Sequence, residues 1–488
     1  MPEHIISKEN LSTQKLQSKH ALLCLLGHKI REARLLEPFH RLITIKQKTV
    51  VHTPTEKLQD CLVGMLMGNT TLYETNTTLS TEQALWQSWG RSGCADQSTI
   101  QRTLEECTQE NVTQLHKVNA LFLQEAGQSL RHHYSKGPLI LDGDLTGLPC
   151  SKNYEAACPG YFADCPRGTT GRQLFRFSAA AYNEIIYEEV FPGNTNSSNL
   201  ANFKKVLEAT FATLGLKPEQ KGAVLLRLDA GFGTSDILNY LLEEGYQFVV
   251  KLFSSTRANK LCREVKEWQA DPKQSGRAMA LLEAAPYYEK DHTRQVLQIG
   301  VRTVLTAQAK AKATKAPNSK AGEPATATAT APDKLYSYHV LVVKRPELAE
   351  RLEGEFKKEL LLGQLAFYDK RAGIESASFC SDKQGLGLAK RRKRSLFGQE
   401  MLIGLAQLAH NLIMWQREQL SNNEPKVAEY GIKCWVRDWL GMGGRLTFQD
   451  GQIVKVRVPK RHEVSRQFKS VLKQWASQSG VRLILRQT

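Results

Sequence analysis

Over the first 135 residues, apolar and polar positions mix at helical spacing with few long β-branched runs, which predicts a helical segment 1–135. From Gly137 the pattern changes. Short apolar runs at 138–141, 175–182, 223–228 and 247–252 predict strands separated by turns. Helical patterns lie at 199–214 and 235–244, the second with Thr234 or Ser235 available as its cap. Strands alternating with helices predict an α/β core. Residues 306–334 are Ala, Thr, Lys and Pro with no periodic apolar face, so they predict a loop that builds no core. Strand-like runs at 296–305 and 335–343 flank it, and neighbouring strands of one β-rich insertion are expected there. After Leu360 helix returns, with Met401, Leu405, Leu408, Leu412 and Trp415 on one apolar stripe. His410 and Asn411 beside that stripe read as satisfied polar groups of the core. Residues 445–459 alternate around Asp450-Gly451, a hairpin signal, and a last amphipathic helix is expected over 463–477.

These patterns divide the chain into a helical N-terminal domain 1–135, a first core part 136–255, a β-rich insertion 256–360, a second core part 361–422, and a C-terminal hairpin and helix 423–488. Within the first, two helices at 81–89 and 97–107 flank a glycine-containing turn. Gln97, Ser98, Gln101 and Arg102 give the second helix a polar face suited to DNA. The turn is longer than a helix-turn-helix usually has, so ordinary helical packing stands as the other reading.

Charge narrows the partner. The 488 residues carry 66 Lys plus Arg against 49 Asp plus Glu, a net +17, and such a field attracts polyanions, nucleic acid first. No apolar run near the start approaches the roughly 20 residues of a spanning helix, and Met1-Pro-Glu-His lacks a basic leader, so a cytoplasmic protein without membrane contact is expected. The ten cysteines include no Cys-x-x-Cys pair and read as reduced thiols; Cys150, Cys158 and Cys165, with Asp164 nearby, lack the spacing of a zinc knuckle. No Gly-Lys-Ser/Thr occurs, and Gly231-Phe-Gly233 is too short for a dinucleotide fingerprint.

Three acidic positions stand out by context. In Leu139-Ile-Leu-Asp-Gly-Asp-Leu-Thr, a strand puts Asp142 and Asp144 on one face, where paired carboxylates suit a hard cation; a simple turn at Asp142-Gly143 is the other reading. In Val224-Leu-Leu-Arg-Leu-Asp-Ala-Gly231, an apolar strand delivers Asp229 to its C-terminal edge, the edge where α/β sheets bind ligands. In Tyr368-Asp-Lys-Arg-Ala-Gly-Ile-Glu375, helical spacing puts Tyr368, Arg371 and Glu375 on one face, fit to stack a base, fork onto phosphate and hold a metal; a solvated charged face is the other reading.

These three segments together resemble the DDE-type bacterial insertion-sequence transposases of the branch with a Tyr-x2-Arg-x3-Glu-x6-Lys signature, over roughly residues 80–460. Asp144, before a short residue and Thr, matches the first aspartate strand, Asp229 the second, and Glu375 the signature glutamate. The separations, 85 residues and then 146, leave room for the branch's β-rich insertion. The resemblance implies an RNase H-like catalytic core. It also implies two Mg²⁺ ions per site, with Mn²⁺ as a substitute, on Asp144, Asp229 and Glu375; Asp142, on the same strand face, is either a further ligand or a supporting, structural carboxylate. Implied partners are terminal inverted repeats and target DNA, held by a homodimer when both ends are synapsed. Tyr368 and Arg371 would grip the terminal nucleotides. Lys383 departs from the signature, lying eight positions after Glu375 rather than seven, turned by about 80° on an ideal helix. The run Lys390-Arg391-Arg392-Lys393-Arg394 could share the family lysine's role and serve as a phosphate track. Two alternatives share this chemistry only in part: an RNase H-like structure-selective nuclease without strand transfer, and a catalytically inactive transposase-derived DNA-binding protein.

Overall fold

The computed structural model describes residues 13–48, 51–282, 296–305, 336–345, 356–371 and 379–486; Glu375 and the segment 306–334 lie outside these. Strand β1 (Thr13–Ser18) comes first. After a helical stretch follow β2 (Leu139–Pro149), β3 (Cys158–Pro159), β4 (Thr170–Ala179), β5 (Glu184–Pro192), β6 (Val224–Leu228) and β7 (Gln247–Lys251). Next come β8 (Gln269–Ala270), β9 (Arg277–Leu281), β10 (Leu297–Val304) and β11 (Tyr336–Lys344), and last β12 (Gly444–Gln449), β13 (Gln452–Pro459) and β14 (Arg482–Arg486).

Alternate residues of the central strands feed two different cores, which is why these strands are apolar on both faces. Leu139 and Leu141, Val224, Leu226 and Leu228, and Phe248 and Val250 pack with helices Leu200–Thr213 and Ser235–Glu243. On the other face Leu225, Val249, Leu341 and Val343 meet Leu361 and Leu365 of helix Phe356–Asp369. Both helices of the first layer start where expected, Asn199 capping one by accepting from Asn202 N–H at 3.0 Å.

Among the described residues ten strands form one sheet, ordered β3-β4-β2-β6-β7-β11-β10-β9-β8, with β5 also on β4. β2 runs parallel to β6, and β6 to β7, whereas β4 is antiparallel to both β2 and β5. The strands on either side of 306–334 pair antiparallel, from Leu297↔Val343 to Val304↔Tyr336, and β11 continues onto β7. The β-rich insertion is therefore no separate layer. Its strands extend the core sheet.

The long helix Leu396–Ser421 closes the opposite edge. Its expected stripe is buried, and so are the residues between, because the helix lies between the sheet and helices Pro54–Leu66 and Gln109–Ala126. Asn411 accepts from the Ile185 N–H and donates to the Ile185 carbonyl, both at 2.9 Å, so one amide side chain pairs the backbone of β5 as a further strand would.

The expected N-terminal domain 1–135 does not stand apart. Helix Ala21–Glu32 opens with Ala-Leu-Leu-Cys-Leu-Leu, apolar all round, and a helix of that kind needs cover on every side. Both ends of the chain supply it. β1 pairs antiparallel with β12, Leu16 opposite Leu446, in a sheet β1-β12-β13-β14. One core joins Leu22 and Leu25 to Leu405, Trp435, Trp439 and Trp475. The C-terminal hairpin turns at Asp450 and Gly451, whose φ of 52° and 75° suit Asp-Gly. The expected last helix is two, Glu463–Gln467 and Lys469–Ser477, broken at Phe468.

A fragment ending at residue 135 should therefore lack a cooperative thermal transition by circular dichroism, while the full chain shows one; a cooperative fragment would restore the separate-domain expectation.

Candidate active site

One level of the sheet carries a row of charged side chains. The register places Arg176 of β4 opposite both Asp144 of β2 and Glu188 of β5. Gly143 pairs with Leu228, and Leu228 with Val250, so Asp229 and Lys251 follow at the level of Asp144. Glu188, Arg176, Asp144, Asp229 and Lys251 thus form a row across five neighbouring strands.

Asp142 and Arg227 occupy the level below, and there the charges cancel. Arg227 donates from Nε and Nη2 to the two Asp142 oxygens at 2.5 and 2.6 Å, and from Nη1 to the Phe367 carbonyl at 2.7 Å. Both carboxylate oxygens of this buried aspartate are engaged by one fork. Through Arg227, Asp142 ties β2, β6 and the end of helix Phe356–Asp369 together, as a structural role for this carboxylate requires.

Asp144 and Asp229 are arranged otherwise. Arg371 Nη2 lies 3.0 Å from Asp144 Oδ1 and 3.8 Å from Asp229 Oδ2, so the two carboxylates are no further apart than those distances combined. Asp229 caps a short turn by accepting from Gly231 N–H at 2.9 Å, and its side chain is 34% exposed. Asp144 is buried. Two hard oxygen donors facing one positive group form a place suited to a divalent cation. Helix Phe356–Asp369 stops short of Arg371, which follows in a turn with its N–H on the Tyr368 carbonyl at 2.9 Å. Tyr368 is half-buried against the core that this helix covers. Glu375, expected on the same helical face, lies outside the described residues.

Lys383 reaches the site from the other side, donating to Thr146 Oγ1 at 2.7 Å, two residues beyond Asp144. Burial, then the Arg392 and Arg176 charges, pull its ammonium below the usual lysine range. Phe379 is the first described residue beyond Glu375.

The short helix Cys380–Gly385 is fixed by a buried network absent from the sequence expectations. Arg176 donates from Nε to Glu188 and from Nη1 to Asp382, each at 2.7 Å, and the Phe379 ring lies 4.4 Å from its guanidinium carbon. His410 Nδ1 joins Asp382 at 2.8 Å, its Nε2 lying 2.7 Å from the Asn183 carbonyl. Burial alone would raise the Asp382 carboxyl, but His410 and Arg176 hold it below the ordinary range. The signal available in sequence was a single arginine inside each apolar strand, Arg176 in Leu-Phe-Arg-Phe and Arg227 in Leu-Leu-Arg-Leu.

The basic run is not one continuous phosphate track. Arg391 is 3% exposed and donates to the Asn69 carbonyl; Lys393 is buried and donates to Gln101. Arg392 is half-buried, its Nε on the Pro149 carbonyl at 2.8 Å. Lys390 and Arg394 face solvent. Both expected N-terminal helices exist, as Gln83–Ser88 and Gln97–Glu105, yet the second packs on Pro54–Leu66 and Leu396–Ser421 and the first on Ala21–Glu32. They are not a helix-turn-helix pair. Ser98 and Arg102 are exposed, whereas Gln97 and Gln101 are half-buried, Gln97 with its N–H on Asn76 Oδ1 at 2.8 Å. Arg102 lines an open cleft of about 770 Å³ with Lys46, Lys48 and Lys57.

Among the described residues no three His, Cys, Asp or Glu side chains gather as metal ligands. Asp142→Ala should cost about 3–5 kcal/mol in urea denaturation, because it strands a buried guanidinium. Asp229→Asn, at a partly exposed carboxylate, should change stability by less than about 1 kcal/mol. Equal losses would erase the distinction between anchor and reactive carboxylate.

A family model described as transposase DDE domain group 1 matches residues 14–295, a stretch that contains Asp144 and Asp229 and ends before Arg371. Among solved structures, the cryo-electron-microscopy structure of the piggyBac transposase synaptic complex with hairpin DNA is similar at 13% identity with a TM-score of 0.42, over 88% of this chain and 82% of that one. No curated protein matches the chain. With more than half its length matched, the chain belongs to the transposase DDE domain group 1 family.

Proposed function

We propose that this transposase binds the terminal inverted repeats of an insertion sequence, cleaves at the element ends and joins the resulting 3′-hydroxyl to target DNA. The observation that carries the reading is the approach of Asp144 and Asp229 to one nitrogen of Arg371, just beyond the point where the parallel pairing of β2 with β6 ends. The order β5-β4-β2-β6-β7, with β2 antiparallel to β4 and parallel to β6, supports an RNase H-like core. Glu375, four positions after Arg371, is proposed as the third acidic residue.

Asp144, Asp229 and Glu375 would hold two Mg²⁺ or Mn²⁺ ions, which when bound supply activation of water or a 3′-hydroxyl and stabilisation of the leaving oxygen. The chain's own groups prepare that place. Arg371 offsets the mutual repulsion of the carboxylates. Lys383, held on Thr146, presents an ammonium beside Asp144 to a strand phosphate. Tyr368, at the end of its helix, stacks a terminal base. Lys390 and Arg394, with Ser98, Arg102 and the cleft of Lys46, Lys48 and Lys57, offer duplex phosphates a basic surface. Both element ends are held by a homodimer before cleavage.

Asp144→Asn, Asp229→Asn and Glu375→Gln should each lower Mg²⁺-dependent strand cleavage by about a hundredfold or more, with repeat binding retained in gel-shift assays. Cleavage at the unsubstituted rate by Asp229→Asn would overturn the assignment. Lys390→Glu and Arg394→Glu should each reduce the log–log salt slope of repeat binding by about one; unchanged slopes would remove these two residues from the DNA surface. Strand transfer to target DNA separates a transposase from a nuclease with the same metal chemistry.

A further inference from the structure

We infer that Phe253 is a stacking platform for an unpaired base of the DNA strand held at the Asp144–Asp229 site; the inference rests on the strand-cleaving reading above. β7 leads up to this ring. Phe248 and Val250 enter the core beneath helix Ser235–Glu243, and Val249 enters the opposite one. The alternation continues past the strand's end, because Leu252 is buried in the first core with its N–H on the Val340 carbonyl at 2.8 Å. Lys251 therefore projects from the face of Val249, and Phe253 follows two residues on, in the bend after the strand. That face also carries Arg227, whose guanidinium meets the end of helix Phe356–Asp369, and two residues further on, Asp229. Phe253 lies one two-residue step, about 7 Å, beyond Lys251, which is level with Asp229 on the neighbouring strand.

Phe253 is 58% exposed, although its backbone is held tightly. Its N–H donates to the Gly233 carbonyl at 3.0 Å, in the turn that begins at Asp229. A Cβ on Gly233 would stand 2.0 Å from the Lys251 carbonyl oxygen and 2.9 Å from Phe253 N, so the two turns are packed without slack. On its other side Ser254 caps helix Ser255–Arg263 by accepting from Arg257 N–H at 3.3 Å. An exposed ring on a rigid mount forms a ready stacking surface, since little ordering entropy remains to be lost when a base settles on it.

Charge selects the occupant. Lys251 stands two residues before Phe253, and the helix that follows contains Arg257, Lys260 and Arg263 and no acidic residue. An aromatic beside cations is the composition that holds single-stranded nucleic acid, where stacking tolerates any base.

The test uses the full chain and a fluorescent thymine-only oligonucleotide of about fifteen nucleotides, with binding followed by anisotropy at several salt concentrations. Phe253→Ala should weaken binding by about fivefold to a hundredfold, Phe253→Trp should restore it, and the salt slope should stay unchanged because no cation is removed. Binding by Phe253→Ala within about twofold of the unsubstituted protein, or a loss that tryptophan does not repair, overturns the platform. So does a change of oligomeric state in Phe253→Ala by light scattering with DNA affinity retained, which would assign the ring to a protein contact. Mg²⁺-dependent cleavage by the unsubstituted protein is measured in parallel. Cleavage present with binding insensitive to Phe253 overturns the platform alone; cleavage absent with binding sensitive to Phe253 supports the platform and overturns the strand-cleaving reading.

Discussion

Charges set in a row across the middle of a folded sheet must find their counter-charges inside the fold, and most of this architecture follows from how they do. An unpaired buried ion costs several kcal/mol. Arg176 is fully enclosed, and it is balanced by Glu188 on its own sheet and by Asp382 from the helical body. Asp382 in turn meets His410 of the long helix. Arg371 comes from the turn after helix Phe356–Asp369 to serve Asp144 and Asp229. Each partner arrives on a different element, so satisfying the row fixes where three helices sit on the sheet. The resulting gap, between the end of Phe356–Asp369 and the helix Cys380–Gly385, is the site.

The same requirement separates the two aspartates that sequence alone could not. Asp142 and Asp144 share a strand face, as the period of two requires, and both meet arginine. The difference is in geometry. Arg227 grips Asp142 with two parallel hydrogen bonds, one to each oxygen, and turns its third nitrogen to Phe367. Arg371 brings a single nitrogen to 3.0 Å from one oxygen of Asp144 and 3.8 Å from one of Asp229, so it lies between two carboxylates and does not fork onto one.

Strand and helix positions between 138 and 252 were legible because apolar runs bounded by turn residues have few alternatives, and Asp229 was legible because an apolar strand delivers its last residue to a known edge. β5 was not, since Glu184, Glu188 and Glu189 interrupt its apolar pattern, and the reason for Glu188 is Arg176 on another strand. The union of the two chain ends escaped for a similar reason: β1 is polar but for Leu16, so no apolar alternation marks it, and its strand partner is the distant β12. The run 390–394 looked like a solvated track because local composition cannot reveal that Arg391 is enclosed beside Asn69 while Arg394 points outward. Local pattern reports what a segment could bury; long-range pairing decides what it does bury.

A net charge of +17 attracts polyanions from a distance, yet the two carboxylates repel a phosphate at contact, so on the proposed reading a DNA strand would have to be held by what surrounds them. Cations flank the pair on both sides along the sheet: Lys383 and Arg392 toward the helical body, Lys251 toward the extended edge. Burial lowers the pKa of both lysines, so their ammonium groups are poorly hydrated and gain more from a phosphate than surface lysines do. A backbone laid across the row would therefore be anchored on either side of the scissile position, with repulsion confined to the one phosphate between Asp144 and Asp229. That confinement favours charge neutralisation at the reacting centre alone, which is where differential stabilisation of a transition state has to act.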